Sequence, residues 1–269
     1  MVSIVTSLYK SDAYLDAFSY NLWKFAEVLA EESFAFELIV IANEPTEREL
    51  KFESDFKAQA WLKFVSVGRE PLYATWNRGV EMAKAEIMGF WNVDDVRFPK
   101  AIFEANELFK SGAELVYFPF KIDRYVKILG RPFLIHKQLI DRQIPEFNSK
   151  MRKEFERSML CGPFFMFTKS LYQKVGPFDE QFKIAGDYDW CARAAKISDK
   201  LVKAKTVAGE FRVDGSGLSA GGSPRQVVEN NVVCRRQGAL DKIQTEDAEL
   251  AKQYNFKIIK RGEEQIIYV

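Results

Sequence analysis

The chain reads as an α/β protein built on a mostly parallel sheet flanked by helices, and three observations carry that reading. Val2–Leu8 reads as a buried strand, Glu37–Ala42 is nearly all apolar and Ile87–Trp91 is an apolar segment, as strands buried on both faces of a parallel sheet are. The segments between them have helical length and helical starting signals. The third run ends abruptly in two adjacent carboxylates, Asp94 and Asp95. A buried strand that delivers acidic residues to its carboxyl edge is how an open α/β sheet offers ligands to a divalent metal or a phosphate ester.

Taken in order, Val2 to Leu8 is the first strand, and a helix begins near Ser11 or Asp12 and runs to about Glu32. The second strand follows at Glu37–Ala42. Thr46-Glu-Arg-Glu49, behind Pro45, has the spacing of a capping box and opens the next helix. Leu62 to Val67 is a third strand, and a helix over about Thr75 to Lys84 leads into the strand that ends at the acidic pair. This alternation predicts right-handed crossovers. It gathers Thr6 to Tyr9, Asn43 with Glu44, and Asp94 with Asp95 at one crevice. A helix from Pro99 to Lys110 and a strand over Glu114–Phe120 come next. Residues 121–160 mix short strands, basic residues and a helix near Lys150–Arg157. Regular structure resumes at Phe164–Phe167, followed by a helix over about Asp187–Lys196, a Gly/Ser loop at 215–223, helices near 224–236 and 239–253, and a short β-like tail.

The chain has 269 residues, enough for a sizeable core. Its net charge of +1 offers no basic footprint for nucleic acid, which is excluded as a partner. The 23 Phe and 5 Trp belong mainly in the core, with a surplus suited to stacking on bases or sugar rings. Cys161, Cys191 and Cys234 are isolated and suggest neither a disulfide framework nor a zinc ribbon, in keeping with a reducing compartment. The start enters a strand directly and no apolar stretch reaches 18 residues, so a cytoplasmic protein is expected. His136 is the only histidine. That removes multi-histidine metal sites and most nucleophile–His schemes, and leaves acid–base chemistry to carboxylates.

Five stretches, in order and at matching spacings, resemble family 2 glycosyltransferases of the GT-A fold over roughly residues 2–220. They are Val2–Tyr9, Glu37–Asn43, Trp76–Ala83 leading into Asn92–Asp95, Val175–Glu180 with Gly186–Asp189, and Phe211–Ser219. The resemblance implies a Rossmann-like GT-A domain over 1–220 with a C-terminal helical extension over 221–269. Residues 1–120 would form the nucleotide-sugar half and 121–220 the acceptor half. It implies an inverting enzyme in which an acceptor hydroxyl displaces a nucleoside diphosphate from a sugar. The donor would be a UDP-, GDP- or dTDP-sugar, with Mn²⁺ or Mg²⁺ at the leaving group.

By that resemblance Asp95 is the first-choice metal ligand and Asp94 its partner, with Asn92 where the family's first acidic residue stands. Asp187 matches the catalytic base, while Gly186 replaces the family's usual Glu. Asn43 falls where relatives bind the base ring. Thr6 and Tyr9 fall where they cradle the nucleoside, Tyr9 being equally suited to the core. Asn77 sits in the matching helix as a donor-binding candidate. Asp214 falls where relatives carry a metal- or diphosphate-binding His, beside Arg212, and the Gly/Ser loop is placed either to close over the diphosphate or simply to lie on the surface. Asp189 rivals Asp187 as base. The processive members' Q-x-x-R-W signature is absent, so a single addition to a glycan or lipid-linked acceptor is implied, from a position that could be peripheral to the inner membrane surface. Two other readings stand beside this one. A sugar nucleotidyltransferase would carry a Gly-rich loop after the first strand, where Thr6 to Asp12 has no glycine. A silent sugar- or nucleotide-binding module would keep the pocket and lose turnover.

Overall fold

The structure is a computed structural model and describes residues 1–129, 131–142, 149–215, 217, 223–239, 258–259 and 266–267. The first half alternates strand and helix: β1 (Val2–Leu8), α1 (Leu15–Glu31), β2 (Phe36–Asn43), α2 (Glu47–Phe56), β3 (Leu62–Val67), α3 (Leu72–Met82) and β4 (Ile87–Phe90). The capping box at α2 is present: the Thr46 hydroxyl accepts from the Glu49 N–H while the Glu49 carboxylate accepts from that of Thr46. After β4 come β5 (Val96–Arg97), α4 (Pro99–Lys110), β6 (Leu115–Tyr117), β7 (Phe120–Ile128), β8 (Arg131–Ile140), α5 (Ser149–Arg157) and β9 (Met166–Thr168). The remainder is α6 (Lys169–Val175), α7 (Gly186–Ile197), β10 (Leu201–Lys203), β11 (Gly209–Val213), α8 (Pro224–Arg236), and a two-stranded pair of β12 (Ile258–Ile259) and β13 (Ile266–Ile267).

The main sheet has seven strands in the order β10-β6-β9-β4-β1-β2-β3. β1 pairs in parallel with both β2 and β4, while β9 runs antiparallel between β4 and β6. The chain builds outward from β1 through β2 to β3, then crosses back to place β4 on the other side of β1. The crevice for a ligand in such a sheet lies at that reversal, beyond the carboxyl ends of β1 and β4.

Period-two alternation sorts the strands between two cores. Val5, Ile39 and Ile41 face one cluster with Trp76, Phe90, Phe178 and Trp190, and Ile4, Leu38 and Val40 face the other with Phe18, Phe25 and Trp91. Trp76 stacks on Phe90 with ring centroids 3.8 Å apart, and Phe178 stacks on Trp190 at 5.1 Å. The aromatic surplus is therefore mostly core, and it ties α3 and α7 to the strand that carries the acidic pair.

Three sequence expectations change. The strand expected over Glu114–Phe120 is interrupted, so that β6 stays in the main sheet while β7 leaves it for a second sheet of order β5-β11-β7-β8. The hard-to-read 121–160 stretch contains a long hairpin, β7–β8, with the single histidine exposed on β8. The strand expected at Phe164–Phe167 lies two residues later and runs antiparallel. The helix expected at 239–253 and most of the 215–223 loop lie outside the described residues. None of the described helices is long and apolar enough to cross a membrane.

Gly79 on α3 faces Val5 on β1 so closely that a Cβ there would overlap both Val5 methyls. Gly79→Ala should therefore destabilise by about 1–3 kcal/mol despite alanine's better helix propensity. Thermal denaturation would read this as a lower Tm, with partial recovery when Val5→Ala is added.

Candidate active site

The turn after β4 brings the acidic pair to the carboxyl edge and divides the labour between its members. Asp95 is only 2% exposed. Its Oδ1 accepts from the Arg212 backbone N–H at 2.9 Å and its Oδ2 from the Asn92 amide at 3.3 Å, while its carbonyl accepts from the Trp91 indole at 3.0 Å. Asp94 is less deeply buried, and no other described residue donates a hydrogen bond to its carboxylate. Burial raises the pKa of both groups, reinforced at Asp94 by Asp214 and at Asp95 by Asp94. Asp94 and Asp95 both border the crevice, Asp94 with its carboxylate oxygens unengaged by other described residues and Asp95 with both of its oxygens accepting hydrogen bonds. Asp95 is a buried brace that fixes the turn.

Two arginines answer this negative charge. Arg97 is buried beneath the turn, its guanidinium donating to the carbonyls of Phe90 at 2.6 Å and Phe164 at 3.3 Å, and burial brings its pKa down to about 10. Arg212 sits above it on β11. Its Nε donates to Asp214 at 3.0 Å, and its guanidinium lies 4.2 Å from the Tyr125 ring and 5.4 Å from that of Tyr14. Asp214 also accepts from the Tyr14 hydroxyl at 3.0 Å. A cavity of about 170 Å³ lies beside this group, bordered by Tyr14, Phe18, Asp94, Asp123, Tyr125 and Arg212.

Asp187 begins α7, where the helix N-terminus favours a carboxylate. Its Oδ1 accepts from the Tyr188 N–H at 2.8 Å and lies 3.3 Å from the Tyr73 hydroxyl, which also donates to the Ile184 carbonyl at 2.8 Å. Burial raises its pKa to about 6 despite these hydrogen bonds. Gly186 is glycine because the Tyr73 ring fills the space its side chain would need: a Cβ there would stand 2.5 Å from the ring. Asp189, the rival, is 1% exposed and neutralised by Arg193 at 2.8 Å and Arg236 at 3.4 Å. It belongs to the packing of α7.

The remaining candidates lie at the same edge with their polar groups committed. The Thr6 hydroxyl, fully buried, donates to the Trp91 carbonyl at 2.8 Å and pins β1 to the acidic turn. The Asn43 amide donates to Thr75 at 3.2 Å and to the Leu8 carbonyl at 3.5 Å, and accepts from the Glu70 N–H at 2.9 Å, joining the ends of β1 and β2 to α3. Asn77 uses all four of its hydrogen-bonding positions, on Phe178 (twice), Glu180 and Tyr172. Asn77 thus clamps α3 to the approach to α7. Tyr9 is half-buried, with the Arg69 guanidinium 3.4 Å over its ring.

Sequence reasoning missed Arg97, Tyr73 and Glu229. Arg97 could have been suspected two residues after the acidic pair. Nothing local marks Glu229, which lies in α8 and is 1% exposed. Its carboxylate accepts from the N–H groups of Lys183, Ile184 and Ala185 and from Arg225, so α8 holds the loop that ends at Asp187.

No protein-family model and no curated protein sequence matches the chain. Solved structures do. The crystal structure of S. aureus TarS 1–349 in complex with UDP-GlcNAc aligns with a TM-score of 0.65 at 15% identity, covering 94% of this chain and 71% of that one. The match to a longer S. aureus TarS structure has a TM-score of 0.63 at 15% identity, covering 94% of this chain and 42% of that one. The mannosyltransferase PcManGT from Pyrobaculum calidifontis, in complex with GDP-Man and Mn²⁺, aligns with a TM-score of 0.59 at 12% identity, covering 91% of this chain and 66% of that one. The fold is accordingly the α/β fold of GT-A-like glycosyltransferases.

Because Glu229 closes three backbone N–H groups at once, Glu229→Gln should cost about 1–3 kcal/mol. Hydrogen exchange would detect it as lost protection at residues 183–185 ahead of any change in β1 or β2.

Proposed function

We propose that the protein is an inverting family 2 glycosyltransferase that moves one sugar from a nucleoside-diphosphate sugar to a hydroxyl of a glycan or lipid-linked acceptor. The observation that carries this reading is the pairing of two unlike carboxylate sites at one sheet edge. One is an acidic turn flanked by Arg212, and the other is a single carboxylate at a helix N-terminus with its pKa raised to about 6. The nucleotide-sugar complexes of the fold neighbours support the donor class.

The donor set suits a hard cation such as Mn²⁺ or Mg²⁺, since Asp94, Asp95 and Asp214 offer only carboxylate oxygen and their crowding leaves the turn short of positive charge. Among the described residues no three such groups converge to form a complete protein cage. That matches a cation held by one or two carboxylates and completed by substrate phosphates. Asp94 would hold it, Asp95 would fix the turn and Asp214 would orient Arg212. Such a cation, when bound, would neutralise charge developing on the leaving diphosphate.

The chain's own groups supply the rest. Arg212 is held by Asp214 and the Tyr125 face, and gives the diphosphate oxygens a positioned cation. Asp187 removes the acceptor hydroxyl's proton as that oxygen bonds to the anomeric carbon and the carbon–oxygen bond to the diphosphate breaks. The proton ends on the Asp187 carboxyl, and the bonding pair leaves with the nucleoside diphosphate. A pKa of about 6 keeps this base largely ionised at neutral pH while leaving it a competent proton acceptor.

The first test is a thermal-shift panel with UDP, GDP, dTDP, CDP and their sugars, with and without Mn²⁺. One nucleotide should raise Tm in a metal-dependent way, and the rise should vanish in Asp94→Asn. No response from folded protein would sink the donor-site reading, and a response without transfer to any acceptor or water would favour a silent binding module.

Asp187 gives a second, signed prediction. Its folded pKa is raised from 3.8 to about 6, so the native state is favoured most below about pH 4 and loses that advantage as pH rises through 6. Asp187→Asn should therefore abolish turnover by at least about 10²-fold yet raise stability at pH 8 by about 1–3 kcal/mol, with no gain at pH 4. In the parent protein, kcat/KM should fall as pH drops below about 6. An Asp187→Asn variant with unchanged turnover would remove Asp187 from the mechanism.

A further inference from the structure

We propose that the outer half of the β7–β8 hairpin is a docking surface for an anionic lipid bilayer. β7 pairs with β11 only as far as Arg124, opposite Val213. Beyond that point the two strands form a ribbon with no third strand among the described residues, an arrangement that is marginal in water unless its faces are covered. The ribbon is nonetheless apolar on the outside. Ile128 is 52% exposed, Phe133 48% and Ile135 60%, and Leu129 at the tip is 99% exposed. Leu129 also has φ +49°. A turn position at positive φ in water would ordinarily take glycine or asparagine. A leucine there places a large apolar side chain in full exposure at the hairpin tip.

The strand register sorts the side chains. Val126 pairs with Phe133 and Ile128 with Arg131, and cross-strand partners share a face. One face thus holds Val126, Ile128 and Phe133 between Arg124 and Arg131, and the other holds Leu134 and Lys127. The hairpin's two carboxylates, Asp123 and Asp141, are at its base and are paired with Lys137 and Lys203. Arg124, Lys127 and Arg131 are exposed and make no ion pair among the described residues. Apolar groups at a tip, ringed by unpaired cations, are matched by a surface with an apolar interior and an anionic boundary. A second copy of this chain fits less well, because edge-to-edge pairing would set two ribbons of like sign side by side.

The hairpin's base reaches the candidate site, since β7 carries Tyr125 beneath Arg212. A bilayer at the tip would hold the crevice at a fixed height above the lipid headgroups, suited to an acceptor anchored in them. The docking itself does not depend on the transferase reading and is measured without donor or turnover.

The test is co-sedimentation of the full chain with vesicles of phosphatidylcholine alone, or with roughly one third phosphatidylglycerol, at low and high salt. Binding is expected on the anionic vesicles, weakened by salt and absent on neutral ones. Leu129→Asn, which suits the positive φ, combined with Phe133→Ser should reduce it at least about tenfold, and Lys127→Gln or Arg131→Gln about fivefold each. All should leave Tm nearly unchanged, because these side chains lie on the exposed ribbon and outside both core clusters. Folded protein that stays in the supernatant, or binding insensitive to these substitutions, would overturn the proposal. So would a concentration-dependent dimer that the tip substitutions dissolve, with no vesicle binding, which would make the hairpin an interface between copies.

Discussion

Everything around the crevice answers to one electrostatic problem, the burial of Asp95 beside Asp94 at the end of an apolar strand. A buried carboxylate without partners costs several kcal/mol, and two in sequence repel as well. The surrounding sequence is a set of responses. Asn92 and the Arg212 N–H occupy the Asp95 oxygens, and Arg97 lies beneath with its charge directed at backbone carbonyls. Gly89 leaves room for that guanidinium, since a Cβ there would stand 3.3 Å from its Nη2. Asp94 is left outside this network, and burial and Asp214 raise its pKa. The same constraint explains why β11 joins the second sheet alongside β5 and β7: only there does its backbone reach Asp95.

The Asp187 side is solved by packing. Tyr73 takes the space beside Gly186 and reaches the carboxylate with its hydroxyl, so a residue from the start of α3 does part of the work of a second side chain on α7. Glu229 fixes the loop from the opposite direction, across more than forty residues of sequence. The stacked core of Trp76, Phe90, Phe178 and Trp190 joins the two halves. A shift of β4 therefore moves both the acidic turn and the helix that carries Asp187, and catalytic geometry of this kind tolerates little displacement.

Legibility in the sequence followed the range of the interaction. β1, β3, α4 and the capping box of α2 were readable to the residue because short β-branched and apolar runs, proline at a helix start and Thr46–Glu49 are local signals. The acidic pair and Asp187 were visible as residue types at strand and helix ends. That the Asp95 oxygens are held within the protein was not, because this depends on the Arg212 N–H arriving from 117 residues away. The partners of Asn43 and Asn77 were hidden for a related reason. An amide at a sheet edge reads the same whether its partner is a ligand or Leu8, Thr75 and Phe178. The long hairpin was obscured because its outward faces are apolar, which erases the alternation that marks a half-buried strand.

That failure of pattern is itself informative. A water-exposed hairpin that obeyed ordinary patterning would alternate apolar and polar residues along both strands. This one has its register shift between Arg124 and Tyr125, where it leaves β11, and becomes more apolar beyond that point. The departure coincides with the place where protein contacts end, so the sequence there is tuned to surroundings other than water. Near the base the same strands obey the usual rules: Asp123 is buried and paired, and Tyr125 supports Arg212. One hairpin thus carries two environments, and the boundary between them falls just above the cation that faces the acidic turn.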